Sequence, residues 1–301
     1  MCLFIVMKKL LLALLLASLV QNGFSEDKTI LFLAGQSSHK TGVHQHIAGC
    51  QFLADCIKKS GLNIKTVVLD HPQWGKISSL DPKPDAIVIY IDGFKRHPVA
   101  KHKDAIQALV DLGAGIACFH FAVEVEPDKL GSTFLEWMGG YFEIGWSVNP
   151  SWKADFYEFP NHPVCNGVKP FSLYDEWYYH MRFVENKEGV TPILSALPPE
   201  KTLNFRPKNP KRSNNPTVIN AVKNGEKQAV SWIYQRPDGG RGFGLTGGHL
   251  HKNWQNDDFR KIVLNALVWI SRIEVPAYGV SSDTPTNEEL KVYINNGHKN
   301  R

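Results

Sequence analysis

Histidines cluster in three short segments of the sequence, and each segment follows an apolar run. The six histidines concerned are His39, His44, His46, His120, His249 and His251. Neutral imidazole is the commonest protein ligand of transition metals, and it also titrates near neutral pH. The three segments are therefore candidates for a metal centre or for acid–base chemistry.

The first segment lies between a predicted strand and a predicted helix, where α/β proteins bind ligands. His44 and His46 are too close in sequence to share a helix face, but they can converge from a loop that also carries His39. We predict all three as metal ligands. Surface histidines without a function are the alternative.

The second segment is the turn after the apolar run 116–119, where His120 stands. Many α/β enzymes expose a nucleophile at such a turn, but a nucleophile elbow needs Ser or Cys between small residues. The residues around His120 do not fit that pattern, so we predict His120 as a metal ligand or acid–base group. A cysteine hydrolase that uses Cys118 is a further alternative.

The third segment follows two glycines, which permit a ligand to approach the backbone closely. His249 and His251 would alternate between faces if the strand continued, so only one should reach a shared site. We predict His249 as a ligand or acid–base group and His251 as a substrate contact. Glu176 lies among aromatic residues and could orient an imidazole or act as a general base, with a structural salt bridge as the alternative.

Aromatic residues are concentrated between positions 134 and 183, which contain 15 of the 33 in the chain. Aromatic faces in a crevice stack on sugar rings and other ligands. We predict that Trp146, Trp152 and Trp177 contact a substrate, while core packing accounts for part of the enrichment.

Apolar runs of strand length alternate with segments of helical periodicity in the first half of the chain. Strands are predicted at 29–34, 63–69, 86–91 and 116–119, with helices at about 48–59 and 97–111. The second half has strand-like segments at 178–183, 192–196, 229–234 and 242–246 and a helix at about 257–271. This order predicts a doubly wound α/β fold with a mostly parallel sheet covered by helices on both faces. Ligands should bind in the loops after Ala34, Ile91 and Phe119.

The chain divides into three parts. Residues 1–25 resemble a secretory signal, since Lys8 and Lys9 precede an apolar run and small residues precede position 26, with an uncleaved anchor as the alternative. Residues 26–276 form the α/β domain, in which 197–227 is a polar insertion loop with six basic and no acidic residues between 201 and 223. That loop is either solvated or a contact for an anionic ligand. Residues 277–301 are predicted to be a polar tail.

Composition excludes several classes of protein. With 43% apolar and 21% charged residues the chain is globular, and a formal charge of +5 on 301 residues is too small for a nucleic-acid partner. After the predicted signal no segment is apolar enough to span a membrane. We therefore expect a periplasmic or secreted protein. Cys50 and Cys56 should pack in the core without bridging each other.

Several of these segments, in this order, resemble the trehalose-utilisation (ThuA-like) family. The resemblance covers residues 29–276 and rests on the histidine-rich first loop together with residues 113–122, 174–178, 242–249 and 254–269. It implies a class I glutamine amidotransferase-like fold and an association with sugar catabolism. Amidotransferase relatives use a Cys elbow with a His and a Glu two residues later. Because His251 stands at that Glu position, glutaminase chemistry is not expected.

The resemblance also implies a common pocket for His39, His44, His46, His120, Glu176 and His249. Such a donor set could bind zinc or another divalent transition metal with an open position for a sugar carbonyl or water. No nucleotide cofactor is expected. Gln45 stands where relatives often carry Glu, which argues against an acid–base role at that position.

Two main hypotheses follow. The first is an exported enzyme that acts on a sugar, glycoside or keto-sugar through the histidine-rich centre, by hydrolysis, isomerisation or elimination. The second is a carbohydrate-binding or scaffold protein that retains the fold without catalysis, because fold alone does not decide function.

Overall fold

The computed structural model describes residues 27–37, 39–204 and 215–299. The predicted signal and the central part of the insertion loop lie outside these ranges. The strands are β1 (Lys28–Ala34), β2 (Ile64–Asp70), β3 (Ala86–Tyr90), β4 (Gly115–Phe119), β5 (Gly140–Tyr141), β6 (Trp152–Phe156), β7 (Phe171–Asp175), β8 (Arg182–Phe183), β9 (Val190–Ala196), β10 (Gln228–Gln235) and β11 (Arg241–Leu245). The α-helices are α1 (His46–Lys59), α2 (Val99–Asp111), α3 (Ser132–Met138), α4 (Pro216–Lys223), α5 (Asp257–Ile270) and α6 (Asn287–Lys299).

A seven-stranded sheet forms the centre of the protein, in the order β2-β1-β3-β4-β11-β10-β9. The first five strands are parallel to one another, and β10 is antiparallel to both β11 and β9. The chain places β2 on one side of β1 and then crosses to the other side, where β3 and β4 follow. This confirms the predicted doubly wound, mostly parallel fold.

The central strands consist almost entirely of apolar residues because both faces of the sheet are covered. Alternate residues of β1 enter different cores: Phe32 packs on the side of α1 and α5, and Leu31 and Leu33 pack on the side of α2 and α3. The same alternation places Val88 in the first core and Ile89 in the second. Because successive side chains of a strand point to opposite faces, the one sheet contributes to both hydrophobic cores.

Two small hairpin-like sheets stand beside the main sheet, formed by β5 with β8 and by β6 with β7. A strand was expected at 178–183, but the longer strand of this region is β7, which ends at Asp175, and only Arg182 and Phe183 continue in β8. The intervening residues form a connection whose Tyr179 makes an isolated bridge with Val148.

The prediction of a polar tail after residue 276 is wrong, because these residues include α6, which packs on α1. Leu290 and Ile294 are buried in this contact, and the Tyr293 hydroxyl donates to the Asp55 carboxylate at 2.9 Å. Helix α6 is polar overall, but apolar residues four apart lie on one face, which is enough to bury one side of a helix. The insertion 197–227 is not only a loop either, since α4 lies within it.

No helix among the described residues is long and apolar enough to cross a membrane. The four cysteines within the described ranges are free, and Cys50, Cys56 and Cys118 are buried as expected.

Candidate metal centre

The candidate site lies at the carboxyl edge of the sheet, where consecutive parallel strands end side by side. His120 directly follows β4, and His249 lies in the loop after β11. His44 lies between β1 and α1, and Glu176 directly follows β7. In open α/β sheets this edge is the usual place for ligands because the loops there converge from both sides.

Three imidazole nitrogens meet at one point. The Nε2 atoms of His44 and His120 are 3.0 Å apart. The Nδ1 atom of His249 is 2.9 Å from the first and 3.1 Å from the second. The Glu176 carboxylate completes the group, with Oε2 at 3.2 Å from His249 Nδ1 and 3.5 Å from His120 Nε2.

The outer ring nitrogens determine which inner nitrogens carry lone pairs. His120 Nδ1 is 2.8 Å from the Thr246 carbonyl oxygen, which can only accept, so Nδ1 donates its hydrogen there. His44 Nδ1 is 2.7 Å from Asp92 Oδ1 and donates in the same way. Both Nε2 atoms are therefore unprotonated acceptors in the neutral rings, and they face each other at hydrogen-bond distance.

Burial keeps the deepest of these rings uncharged. His120 is completely buried, and this burial, with the neighbouring His44 and His249, holds its pKa well below the ordinary histidine range. Where the neighbouring rings are neutral too, the converging lone pairs repel one another unless a proton or a metal ion lies between them. Ligating histidines in metal sites have this arrangement, with the outer N–H on a carboxylate or a carbonyl.

The distances fit a first-row divalent metal. Nitrogen ligands at about 2.0–2.1 Å from a tetrahedral zinc ion are about 3.3–3.4 Å apart. The three nitrogen–nitrogen distances here, 2.9, 3.0 and 3.1 Å, are within a few tenths of an ångström of that value. Three nitrogens and one carboxylate oxygen are also the donor types that zinc and similar metals accept.

Two loops that carry ligands are fastened to each other. Val43 and Leu250 form an antiparallel bridge, and the His44 amide donates to the His249 carbonyl at 3.1 Å. Buried Asp175 accepts from the amides of Gly248 at 2.8 Å and Leu250 at 3.3 Å. This carboxylate thus fixes the backbone on both sides of His249.

The four side chains of the site differ in their exposure to solvent. The side chains of His44 and His120 are 3% and 0% exposed and form its floor. Those of His249 and Glu176 are 20% and 14% exposed and form its mouth. The Tyr178 hydroxyl lies 3.4 Å from both His120 Nε2 and Glu176 Oε2, beside the converging nitrogens.

The structure separates two of the predicted metal ligands from this group. His46 begins α1, is completely buried, and has a pKa lowered to about 4, chiefly by burial. Its ring lies on the far side of His44, with Nε2 at 3.7 Å from Asp92 Oδ1. His39 is exposed and packs against the His44 ring at a centroid distance of 3.8 Å.

The predicted substrate contacts do not lie together. His251, predicted as a substrate contact, is buried next to Leu290 of α6 and away from the cluster, so of the two histidines after the glycines only His249 lies in the cluster. Trp152 and Trp177 are 1% and 0% exposed and belong to the core, which is contrary to the prediction that they contact a substrate. Trp152 belongs to a strand in which buried and exposed residues alternate, a pattern typical of packing as well as of binding.

Trp146 is half-buried, and its ring is already in contact with two side chains. The Arg182 guanidinium lies 3.9 Å from the ring centroid, and the His180 ring lies 4.7 Å from it. Arg182 is held by two hydrogen bonds to Glu143, at 2.7 and 2.8 Å. These contacts give Trp146 a structural environment of its own.

Two residues of the site were not singled out from the sequence. Asp92 lies just after β3, in a loop that the strand-end rule indicates, but a lone Asp in a turn carries no further signal. Tyr178 lies in an aromatic run, where nothing distinguishes it from core residues. Cys118, by contrast, is fully buried within β4, and burial raises its pKa well above the ordinary thiol value. This burial argues against the cysteine hydrolase alternative.

The fold and the cluster together define a doubly wound α/β protein with a histidine-rich centre at the carboxyl edge of its sheet. The family model described as trehalose utilisation, ThuA, matches residues 32–270, and the chain belongs to this family. This confirms the resemblance found in the sequence. No curated protein matches the chain at significant similarity.

Solved structures with a similar fold include two ThuA-like proteins. The one from Bacteroides uniformis has 16% identity and a TM-score of 0.53, covering 83% of this chain and 94% of its own. The one from Parabacteroides merdae has 16% identity and a TM-score of 0.55, covering 87% of this chain and 94% of its own. The glutaminase domain of Trypanosoma brucei CTPS aligns with a TM-score of 0.44 and 9% identity, over 85% of this chain and 98% of that domain. At 16% identity the likeness to the two ThuA-like proteins concerns the fold alone.

Proposed function

We propose that this protein is a metal-dependent enzyme of carbohydrate catabolism, and that His44, His120, His249 and Glu176 hold the metal. The observation that carries the proposal is the pair of Nε2 atoms 3.0 Å apart whose rings both donate their only N–H outwards. A cation between them removes the repulsion of the lone pairs. The sugar substrate is inferred from the family, which is described by trehalose utilisation.

A divalent metal at this point would polarise a sugar carbonyl or lower the pKa of a bound water. The chain supplies the other groups of such a reaction. Besides the metal ligands, the buried Tyr178 hydroxyl lies 3.4 Å from Glu176 Oε2, where a phenol can donate a hydrogen bond and a carboxylate oxygen that is not bound to the metal can accept a proton. Hydrolysis, isomerisation and elimination next to a keto group all use this pair of functions.

The first experiment measures zinc, manganese, iron and nickel by mass spectrometry on tag-free mature protein. Wild type should carry near-stoichiometric metal, and His120→Ala and His249→Ala should each lose most of it. His71→Ala is the matched control, because His71 lies beside Trp74 and His102, outside the cluster. Wild type without metal, even after reconstitution, would contradict the metal centre and favour metal-free binding of a carbohydrate.

Catalysis is tested separately from metal binding. Metal-loaded protein is incubated with trehalose, other glycosides and keto-sugars, and the products are analysed by chromatography. Chemical conversion that chelation abolishes supports the enzyme. Thermal stabilisation by a sugar that remains unchanged would instead establish the carbohydrate-binding alternative.

We also propose export, from the basic pair and apolar run within residues 1–25. The test is the amino terminus of protein expressed with its full sequence and recovered from the periplasm. A mature chain that begins at Glu26 supports the proposal, and a chain that retains Met1 or Met7 in the membrane fraction contradicts it.

A further inference from the structure

A second group of donor atoms lies on the other side of the His44 ring. Asp92 Oδ1 is 2.7 Å from His44 Nδ1 and 3.7 Å from His46 Nε2. His39, His44 and Asp92 can also bring one ligand atom each to within 4.8 Å of one another. Of these residues, the centre proposed above uses only His44.

The His46 ring presents a lone pair to the Asp92 carboxylate. Its Nδ1 lies 3.1 Å from the Gln36 carbonyl oxygen, which can only accept, so in the neutral ring Nδ1 carries the hydrogen. Its Nε2 is buried without a hydrogen-bond partner among the described residues. A buried acceptor that faces a carboxylate oxygen is unfavourable unless a positive charge lies between them.

The separation of these atoms fits a metal better than a direct bond. At 3.7 Å, His46 Nε2 and Asp92 Oδ1 are too far apart for a hydrogen bond. Two ligands at about 2.1 Å from one cation subtend an angle of about 120° at this separation, which is close to trigonal geometry. The exposed His39 ring brings a donor atom to within 4.8 Å of the Asp92 carboxylate, and its side chain must turn to reach a cation that His46 also binds.

We propose that His46 Nε2, the Asp92 carboxylate and His39 form a second divalent-cation site beside the first. The His44 ring separates the two sites: its Nε2 faces the first, and its Nδ1–H is held by the Asp92 carboxylate that the second cation would bind. The protein thus has the donors of a two-metal centre. The inference extends the proposed function but uses different donors, so either site can be absent while the other is present.

The experiment is zinc stoichiometry by equilibrium dialysis of tag-free protein, followed by mass spectrometry of the metal. Wild type should bind two zinc ions. His46→Leu should bind one, and His120→Ala should retain the second-site zinc. His71→Ala should bind two, like wild type. These four results together support two separate sites.

Other stoichiometries overturn the inference in distinguishable ways. One zinc in both wild type and His46→Leu, with none in His120→Ala, leaves the first centre intact and contradicts a cation between His46 and Asp92. One zinc in wild type and none in His46→Leu means that a single metal uses His46. No zinc in any variant removes both proposals.

His46 is buried, so His46→Leu must be checked by circular dichroism, and His39→Ala provides a variant that cannot disturb the core. It should weaken binding of the second zinc at least tenfold and leave the first unchanged. Cobalt substitution gives an independent signal, since the visible absorption of wild type should rise in two steps and that of His39→Ala mainly in one. A single step in wild type would contradict two sites.

Discussion

The Nε2 atoms of His44 and His120 are 3.0 Å apart, and both residues have backbone conformations that non-glycine residues rarely adopt. Their φ angles are 49° and 53°, both in the left-handed region. Each such conformation costs about 1–2 kcal/mol in a non-glycine residue. The fold retains the strain because the loops on either side are tied by bridges and buried carboxylates, and strain of this kind concentrates at functional sites.

The strain at His120 can be measured by comparing two substitutions. The free energy of unfolding of His120→Gly should exceed that of His120→Ala by about 1 kcal/mol, because glycine adopts positive φ without steric cost. His120→Gly should therefore unfold at a higher urea concentration. Both variants should be measured with chelator present, so that bound metal does not contribute. Ala108, exposed within α2, supplies the opposite control: there Ala108→Gly should destabilise by about 1 kcal/mol. Equal or greater stability of His120→Ala would show that the position is not strained.

Gly247 is expected to be intolerant of alanine because the core lies directly beneath it. A Cβ atom there would stand 2.3 Å from the Trp177 ring, which is fully buried and cannot withdraw. Gly247→Ala should lower the free energy of unfolding by about 1–3 kcal/mol and weaken metal binding, since His249 lies two residues on. Trp177 therefore contributes to the site from the core, as the support of a ligand loop.

The control for this substitution is Gly75→Ala, whose added Cβ meets nothing within 4 Å. It should change the free energy of unfolding by less than about 0.5 kcal/mol, as surface substitutions usually do. Normal stability and normal zinc affinity in Gly247→Ala would show that the loop can move without loss.

The sequence predicts the sheet well because its central strands are buried on both faces. The predicted strands 29–34, 86–91 and 116–119 match β1, β3 and β4 to within one residue at each end. The strand-end rule then locates the loops that carry His44 and His120. The local sequence pattern is enough here, because each of these strands ends where its apolar run ends.

Side-chain roles at the site were less accessible, because they depend on pairings between distant segments. Whether His46 or His249 reaches the cluster follows from the bridge between Val43 and Leu250, about 200 positions apart, which no local pattern contains. The burial of Trp152 likewise depends on its hydrogen bond, at 2.9 Å, to the Trp177 carbonyl.

His97 should make stability depend on pH. It is buried, its Nε2 donates to the Ala122 carbonyl at 2.9 Å, and burial lowers its pKa from 6.5 to about 4. Between these values the unfolded chain binds a proton that the folded chain does not, so stability falls as the pH is lowered from 6.5 to 4. The loss attributable to His97 should approach about 3 kcal/mol.

The measurement is the free energy of unfolding from pH 7 to pH 4 for wild type and His97→Gln. Glutamine retains a donor for the Ala122 carbonyl but does not titrate, so the advantage of wild type should shrink as the pH falls. Parallel curves of the free energy of unfolding against pH would contradict this prediction. They would mean that His97 binds its proton as readily in the folded protein as in the unfolded chain.

The contact between α6 and α1 should contribute to the stability of the whole domain, although α6 lies outside the residues that the family model matches. Leu290 is 3% exposed in this contact, and Leu290→Ala should lower the free energy of unfolding by about 2–3 kcal/mol. Val292 is 55% exposed on the same helix, and Val292→Ala should have little effect. A single cooperative urea transition that shifts only in the first variant supports α6 as part of the domain. If neither variant shifts it, the helix docks too weakly to stabilise the loops that hold the site.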